Sequence, residues 1–279
     1  MRWTEAREAE LERLWNDDGL SASMIARRMG ISRGAVLGKS VRLNLHFRKQ
    51  QRAITLNSLH PAVVGSRTLF PSRRRKPSAS LRVLKTAAWQ RKVGGEVKKG
   101  HWAGMPIYAL TLEERATCPR SCPQFNGCYG NGMQAASRQE HGPLLESTIL
   151  AELNDLQRSH PKGFVVRLHI LGDFYSTDYV ALWASALEEF PALHVFGYSA
   201  WPHDTEIGAA VAALRDKHWG RFAVRTSGAS TGPRANVYAQ ASDVPRGEII
   251  CPAQLNKTAS CATCALCWGT KRPIAFLKH

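Results

Sequence analysis

The sequence predicts an α/β protein in two parts, a small three-helix unit at the N-terminus and a larger metal-binding domain on a parallel sheet of open or partial-barrel form. Three observations lead there. The first 46 of the 279 residues repeat apolar side chains at helical spacing between Gly-containing turns. Beyond about residue 105, short buried-type runs alternate with amphipathic stretches, the pattern of strands joined by crossover helices. All seven cysteines fall in two clusters, Cys118, Cys122 and Cys128, then Cys251, Cys261, Cys264 and Cys267, so none is a scattered core residue. The expected domains are a helix-turn-helix unit (1–46), a basic, largely irregular tether (47–100) and the α/β cysteine-rich domain (101–279).

Residues 4–16 carry Ala9, Leu11, Leu14 and Trp15 on one face and stop before Asp17-Asp18-Gly19. A second helix follows, with Ser21 as its cap, Met24, Ile25 and Met29 inward, and Gly30 as its stop. Ser32 caps a third helix, Arg33 to about Leu43, with Val36, Leu37 and Val41 inward and Arg33, Lys39 and Arg42 outward. Two short helices joined by a Gly turn, the last opening on a basic residue, make the helix-turn-helix pattern, whose final helix enters the major groove of double-stranded DNA. Small three-helix protein-docking modules share the spacing.

The text Trp3-Thr4-Glu5, Leu14-Trp15, Gly19-Leu20-Ser21-Ala22, Ile25-Ala26, Gly30, Ser32-Arg33, Ala35-Val36, Gly38-Lys39 and Arg42-Leu43 resembles the N-terminal domain of the GcrA-type cell-cycle regulators. The resemblance implies DNA contacts from Arg33, Lys39 and Arg42. It stops at residue 46, and Gly34 stands where that family usually has Asn.

The net charge of +16 is uneven: residues 1–102 hold 22 Lys and Arg against 7 Asp and Glu, leaving the rest nearly neutral. The excess concentrates in Arg48-Lys49-Gln50-Gln51-Arg52 and Arg73-Arg74-Arg75-Lys76. Two readings stand side by side, a solvated linker and an arm holding DNA phosphates through Arg73, Arg74 and Arg75. Pro61, Pro71, Pro77, Gly65, Gly94, Gly95 and Gly100 interrupt any periodicity in the stretch.

In the third part, Met105–Leu110 reads as a strand followed by the first cysteine loop. Residues 142–158 are helical in period, 164–171 form a buried-type strand ending at Gly172-Asp173, and a helix covers 177–189. A strand at 194–199, a helix at 207–216 and a strand at 221–226 complete the alternation. Ligands in such sheets sit at the carboxyl ends of the strands, which here carry Asp173, Ser199 and Thr226-Ser227-Gly228.

A strand, a three-cysteine loop and a later strand ending in Gly plus carboxylate resemble the radical S-adenosylmethionine enzymes. That resemblance implies a four-iron, four-sulfur (4Fe-4S) cluster on Cys118, Cys122 and Cys128, with Gly172 and Asp173 binding S-adenosylmethionine and Asp173 catalytic. The spacing here is Cys-x3-Cys-x5-Cys, and Leu171-Gly172-Asp173 replaces the usual Gly-Gly-Glu. Thr117–Met133, His169–Phe174 and Cys261–Trp268 together are also similar to a cysteine-rich phage and prophage family without known activity. Cys251, Cys261, Cys264 and Cys267 have ferredoxin-like spacing and suit a second iron–sulfur cluster, with Zn as the alternative; one cluster drawing on both segments is a further arrangement.

Asp173 reads either as a ligand group or as a helix cap, His169 as a core residue more than a ligand, and Tyr175, Tyr198 and Trp201 as packing or base-stacking residues. No phosphate-binding Gly loop, Gly-x-Ser-x-Gly or His-Glu-x-x-His occurs. No run approaches a membrane span and no apolar leader opens the chain, so a cytoplasmic protein without a membrane partner is expected. The expected function is that of a DNA-associated iron–sulfur protein of bacterial or prophage origin, with three classes open: a radical S-adenosylmethionine-type enzyme, a non-catalytic metal-containing regulator or redox sensor, and a zinc-only scaffold.

Overall fold

The computed structural model describes residues 3–16, 20, 22–43, 45, 54–78 and 80–278. The chain divides into two compact units, Met1–Ala53 and Ile54–Lys278.

The first unit holds α1 (Glu5–Asn16), α2 (Ala22–Met29) and α3 (Arg33–Arg42) around Leu11, Leu14, Trp15, Ile25, Ala26, Met29 and Val36. Gly30 takes φ +63° and ends α2, and Ala35 N donates to Ser32 Oγ at 3.1 Å to cap α3. The expected cap at Ser21 and stop at Asp17-Asp18-Gly19 lie outside the described residues. Two residues expected inside are outside: Met24 is 52% exposed and Val41 58%. Each stands one residue off the buried stripe, a rotation of about 100° on a helix. Their places are taken by Ala26 and by Ser40, buried four residues after Val36 and satisfied by donating to Leu37 O at 2.9 Å.

The second unit runs α4 (Pro61–Val64), β1 (Arg74–Arg75), β2 (Lys85–Thr86), β3 (Ile107–Ala109), β4 (Arg138–Gln139), α5 (Pro143–Ser159), β5 (Phe164–Leu168), α6 (Thr177–Glu189), β6 (Leu193–Ser199), α7 (Glu206–His218), β7 (Phe222–Ser227), β8 (Arg234–Tyr238), β9 (Ile249–Ile250), α8 (Cys261–Cys264), α9 (Leu266–Gly269) and β10 (Ile274–Leu277). Its eight-stranded sheet has the order β2-β3-β5-β6-β7-β8-β10-β9 and is parallel except at β2–β3. The sheet is open rather than a closed barrel, with β2 and β9 at its two ends.

From β3 to β8 neighbouring strands of this sheet follow chain order, so the crossovers never reverse, and uniform handedness puts α5, α6 and α7 on one face. There Leu145, Ile149, Leu153, Tyr179, Trp183 and Leu187 meet Phe164, Val166, Leu168, Leu193 and Val195. Alternation sends Val165, Phe196 and Ala223 to the opposite face, which segments 87–102 and 262–268 cover instead. Trp102 stacks on Trp268 there at 5.3 Å.

The stretch expected as a tether therefore differs from Ile54 onward: it is part of the second unit. Val83, Leu84, Ala87, Val93, Val97 and Trp102 are buried, β1 pairs with β4, and β2 extends the main sheet. Its period is poor because turns and short 3-10 pieces, not long helices or strands, deliver these side chains. Both Glu152 oxygens on α5 pin it, accepting from Val83 N at 2.7 Å and Leu84 N at 2.8 Å. Among the described residues, no helix is long and apolar enough to cross a membrane.

Removing that carboxylate leaves two buried amides without acceptors. Glu152→Ala is expected to lower unfolding free energy by about 1–3 kcal/mol and to open the chain near Val83 to limited proteolysis. Denaturant titration with proteolytic mapping checks both, and unchanged stability would contradict the anchoring.

Candidate metal centre

Three consecutive charged residues after β3, Glu113, Glu114 and Arg115, are buried, although such side chains enter an interior only when paired. Glu113 receives Arg67 through both oxygens (2.9 and 3.0 Å) and lies 3.1 Å from Arg74. Glu114 accepts from Arg138 at 2.7 Å and from Thr68 Oγ1 at 2.8 Å. The two arginines then collect carbonyls of the first cysteine loop. Arg115 donates to Phe125 O at 3.0 Å and to the Asn131 side chain; Arg138 donates to Gly130 O, Met133 O and Ala136 O at 3.1, 3.1 and 2.6 Å. A loop without regular structure is thereby held with its buried carbonyls satisfied.

Thr117 joins this loop to the sheet. Its hydroxyl donates to Glu113 O at 2.9 Å and accepts from Asp173 N at 3.0 Å, which sets Cys118 beside the end of β5. Gly172 fits there only as glycine, with φ +85° and no space for a Cβ, which would stand 2.6 Å from both Leu112 and Thr117. Asp173 is buried, and its oxygens accept from Phe174 N at 2.8 Å and from Ala200 N, just past β6, at 2.6 Å. Burial raises its carboxyl to about 7 against these hydrogen bonds. The helix cap of α6 is Ser176, not Asp173. Gly172 and Asp173 thus join β5 to β6 and the cysteine loop, with one bond from each oxygen of the buried Asp173 carboxylate spent on a backbone amide inside the fold.

The three thiols remain neighbours. Burial pushes Cys118 well up, with the Asp173 carboxylate adding to it; Cys122 rises to about 11 and Cys128 also rises, each chiefly by burial. On the far side of this loop, Gly228 past β7 comes within 3.5 Å of Pro123, measured from an added Cβ.

The second cluster is on the sheet face opposite the helices. Cys251 follows β9, Cys261 and Cys264 sit on α8, and Cys267 on α9. Ser260 and Thr263 form a capping box at α8, and Ala265, at φ +61°, turns the chain so that α9 returns to the same place. All four cysteines line one small recess with Pro252, Ala253, Leu266, Trp268 and Ile274. Cys261 N donates to Lys92 O at 2.8 Å and Ala262 N to Val93 O at 2.9 Å, locking the segment onto the former tether.

Arg225 on β7 holds this segment from below. Fully buried, it donates to Cys267 O and Arg272 O at 2.9 and 2.8 Å, to Arg234 O at 3.3 Å, and to Thr270 O. No carboxylate among the described residues forms an ion pair with it. Tyr198 Oη donates to Cys267 Sγ at 2.9 Å, and Arg167 stacks on Phe196 and Tyr198 at 5.4 and 4.8 Å. Burial raises Cys261 to about 12 and also raises Cys267, where Tyr198 and Arg225 act in the opposite direction. Among the described residues, no group of three or more His, Cys, Asp or Glu side chains is placed so that it could hold a metal ion as it stands. The donor chemistry nonetheless suits a thiophilic metal: four sulfurs on one apolar-walled recess, with cations and a hydroxyl around them.

The other named residues divide. Arg33 and Arg42 are exposed on α3, whereas Lys39 pairs with Glu8 and lies 5.7 Å over Trp3. Arg73 is exposed; Arg74 bonds Glu140 at 2.9 Å besides Glu113, and Arg75 donates to Ser72 O and Arg74 O, so these two are engaged within the fold. His169 is a neutral core residue, lowered to about 3 by burial, with Nε2 3.3 Å from Tyr179 Oη. Trp201 donates to Phe174 O at 2.6 Å, and Tyr175 donates to Glu146 at 2.7 Å and stacks on Tyr179. The sequence reading missed Glu113, Glu114, Arg115, Arg138 and Arg225. Only the run Glu113-Glu114-Arg115 directly after a strand gave a signal.

Fold and site define a helical unit followed by an α/β unit whose cysteines gather in two braced segments. Residues 1–103 match the family model of the GcrA cell cycle regulator. No curated protein and no solved structure matches the chain. The matched stretch runs past residue 46, where the likeness was expected to stop, and takes in residues 54–103 of the second unit.

Arg225→Met would leave several buried carbonyls unpaired and is expected to destabilise the second unit by about 3 kcal/mol, read by denaturant unfolding. No change would remove Arg225 as the support of the cysteine segment. With Asp173 at about 7 in the fold and 3.8 ordinarily, the folded chain holds the extra proton between those values. Its contribution to stability is full below the lower value, falls as pH rises toward 7 and is flat above. Asp173→Asn is expected to flatten that slope in a pH series of unfolding curves; an identical slope in the variant would assign it elsewhere.

Proposed function

We propose that the protein is a DNA-binding regulator whose second unit carries a thiolate-held metal centre, with Cys251, Cys261, Cys264 and Cys267 as ligands. The observation that carries this reading is that the four cysteines line one recess, with Arg225, a buried guanidinium without an ion-paired carboxylate among the described residues, donating to Cys267 O. Four thiolates outweigh the charge of a divalent metal, so such a centre is anionic and supplies the missing counter-charge. When bound, an iron–sulfur cluster would add redox response and zinc would add rigidity. Tyr198 orients one sulfur, Arg167 and Arg225 set the field, and Trp268 and Leu266 exclude water. Cys118, Cys122 and Cys128 form a second thiol group held by Arg115 and Arg138, suited to redox response or to a further metal. Nothing in the arrangement of Gly172 and Asp173 supports S-adenosylmethionine chemistry, so regulation is preferred over catalysis.

For the first unit, the match to the GcrA family and the exposed Arg33 and Arg42 on α3 support contact with double-stranded DNA, while Lys39 serves its own unit. Protein purified without oxygen and analysed for iron, sulfide and zinc is expected to carry metal, and Cys264→Ser to lose it; metal-free wild-type protein would overturn the centre. Arg33→Ala is expected to weaken duplex binding by anisotropy and to reduce the slope of log affinity against log salt by about 0.9, as one lost phosphate contact requires. An unchanged slope and affinity would remove Arg33 from the interface.

A further inference from the structure

Trp89 is 89% exposed, although burying its ring elsewhere would remove a large apolar area from water. It ends the 3-10 turn Ala87–Trp89, whose inward residue is Ala87. Gln90 O accepts from Val93 N at 2.9 Å and Gly94 N at 2.8 Å, which closes the following turn. The resulting knuckle is held by Ala87 and Val93 beneath and needs nothing from the indole. Lys85, Arg91 and Lys92 on the same knuckle are exposed, and no Asp or Glu occurs from residue 85 to 95. The charge asks for a polyanion, and the protruding ring asks for a flat apolar partner. A base in a duplex hides both faces in the stack, whereas an unpaired base presents one.

We propose that this knuckle binds single-stranded nucleic acid, with Trp89 stacking on a base and Lys85, Arg91 and Lys92 following the backbone. The knuckle belongs to the second unit and α3 to the first; the knuckle's Lys92 and Val93 carbonyls accept from Cys261 N and Ala262 N of the cysteine segment. The test uses the full chain with a labelled oligothymidine strand and a labelled duplex in anisotropy titrations. Trp89→Ala is expected to weaken single-strand binding about ten- to hundredfold, with an unchanged unfolding midpoint and unchanged duplex affinity. Lys85→Ala with Lys92→Ala is expected to lower the single-strand salt slope by about 1.4. Arg33→Ala serves as the converse control, weakening the duplex and sparing the strand, so failure of the α3 reading shows separately. The proposal is overturned if wild-type protein does not bind the strand, if Trp89→Ala binds it as wild type does, or if Trp89→Ala weakens strand and duplex equally.

Discussion

Irregular backbone buried away from water must find hydrogen-bond partners, and in the second unit arginine side chains provide them. Arg115 and Arg138 take carbonyls of the first cysteine loop, and Arg225 takes those of the second. A guanidinium is suited to this because its donors are fixed in a plane and reach several acceptors at once. Two cysteine-bearing segments with little regular structure can therefore sit against the sheet in defined positions. Without these donors, each segment would need ordered water or exposure to solvent.

Of the three guanidiniums only Arg138 has an ion-paired acid among the described residues; Arg115 and Arg225 are both buried and donate to neutral oxygens. Arg138 faces Glu114, and the Glu113 carboxylate is answered in turn by Arg67 and Arg74. These pairs draw residues 67–74 into the fold. Arg225, like Arg115, has carbonyl partners and no ion-paired acid among the described residues. Under the proposed reading an anionic thiolate centre would supply a counter-charge for Arg225, and the three thiols of the first loop could do the same for Arg115. The one-sided winding of the sheet makes room for this, because the face opposite α5, α6 and α7 is free for the cysteine segment and Trp268.

The helices and central strands were legible because their apolar residues repeat at fixed spacing. α6 covers the predicted 177–189, and β5, β6 and β7 lie within a few residues of expectation. The four C-terminal cysteines line one recess, although among the described residues they are not placed as a metal-holding group. The former tether was illegible for a physical reason: Val83, Leu84, Val93 and Val97 reach the core from turns, which leave no period, and the Arg73–Lys76 run looks solvated until Arg74 is seen against Glu113 and Glu140. Lys39 shows the same limit, since its partners Glu8 and Trp3 lie on α1 and just before it. Arg225 reads as one more strand residue until the carbonyls around it are known. Gly172-Asp173 was legible as a special strand end, and its close packing against Leu112 and Thr117 is what the sequence could not show.

The central claim is that four sulfurs converge on one metal centre over Arg225. X-ray absorption at the edge of the metal found in anaerobically purified protein tests it most directly. The account expects a first shell made of sulfur alone at about 2.3 Å, reduced or lost when Cys251 or Cys267 is changed to Ser. A shell of oxygen and nitrogen, or one indifferent to those substitutions, would contradict it.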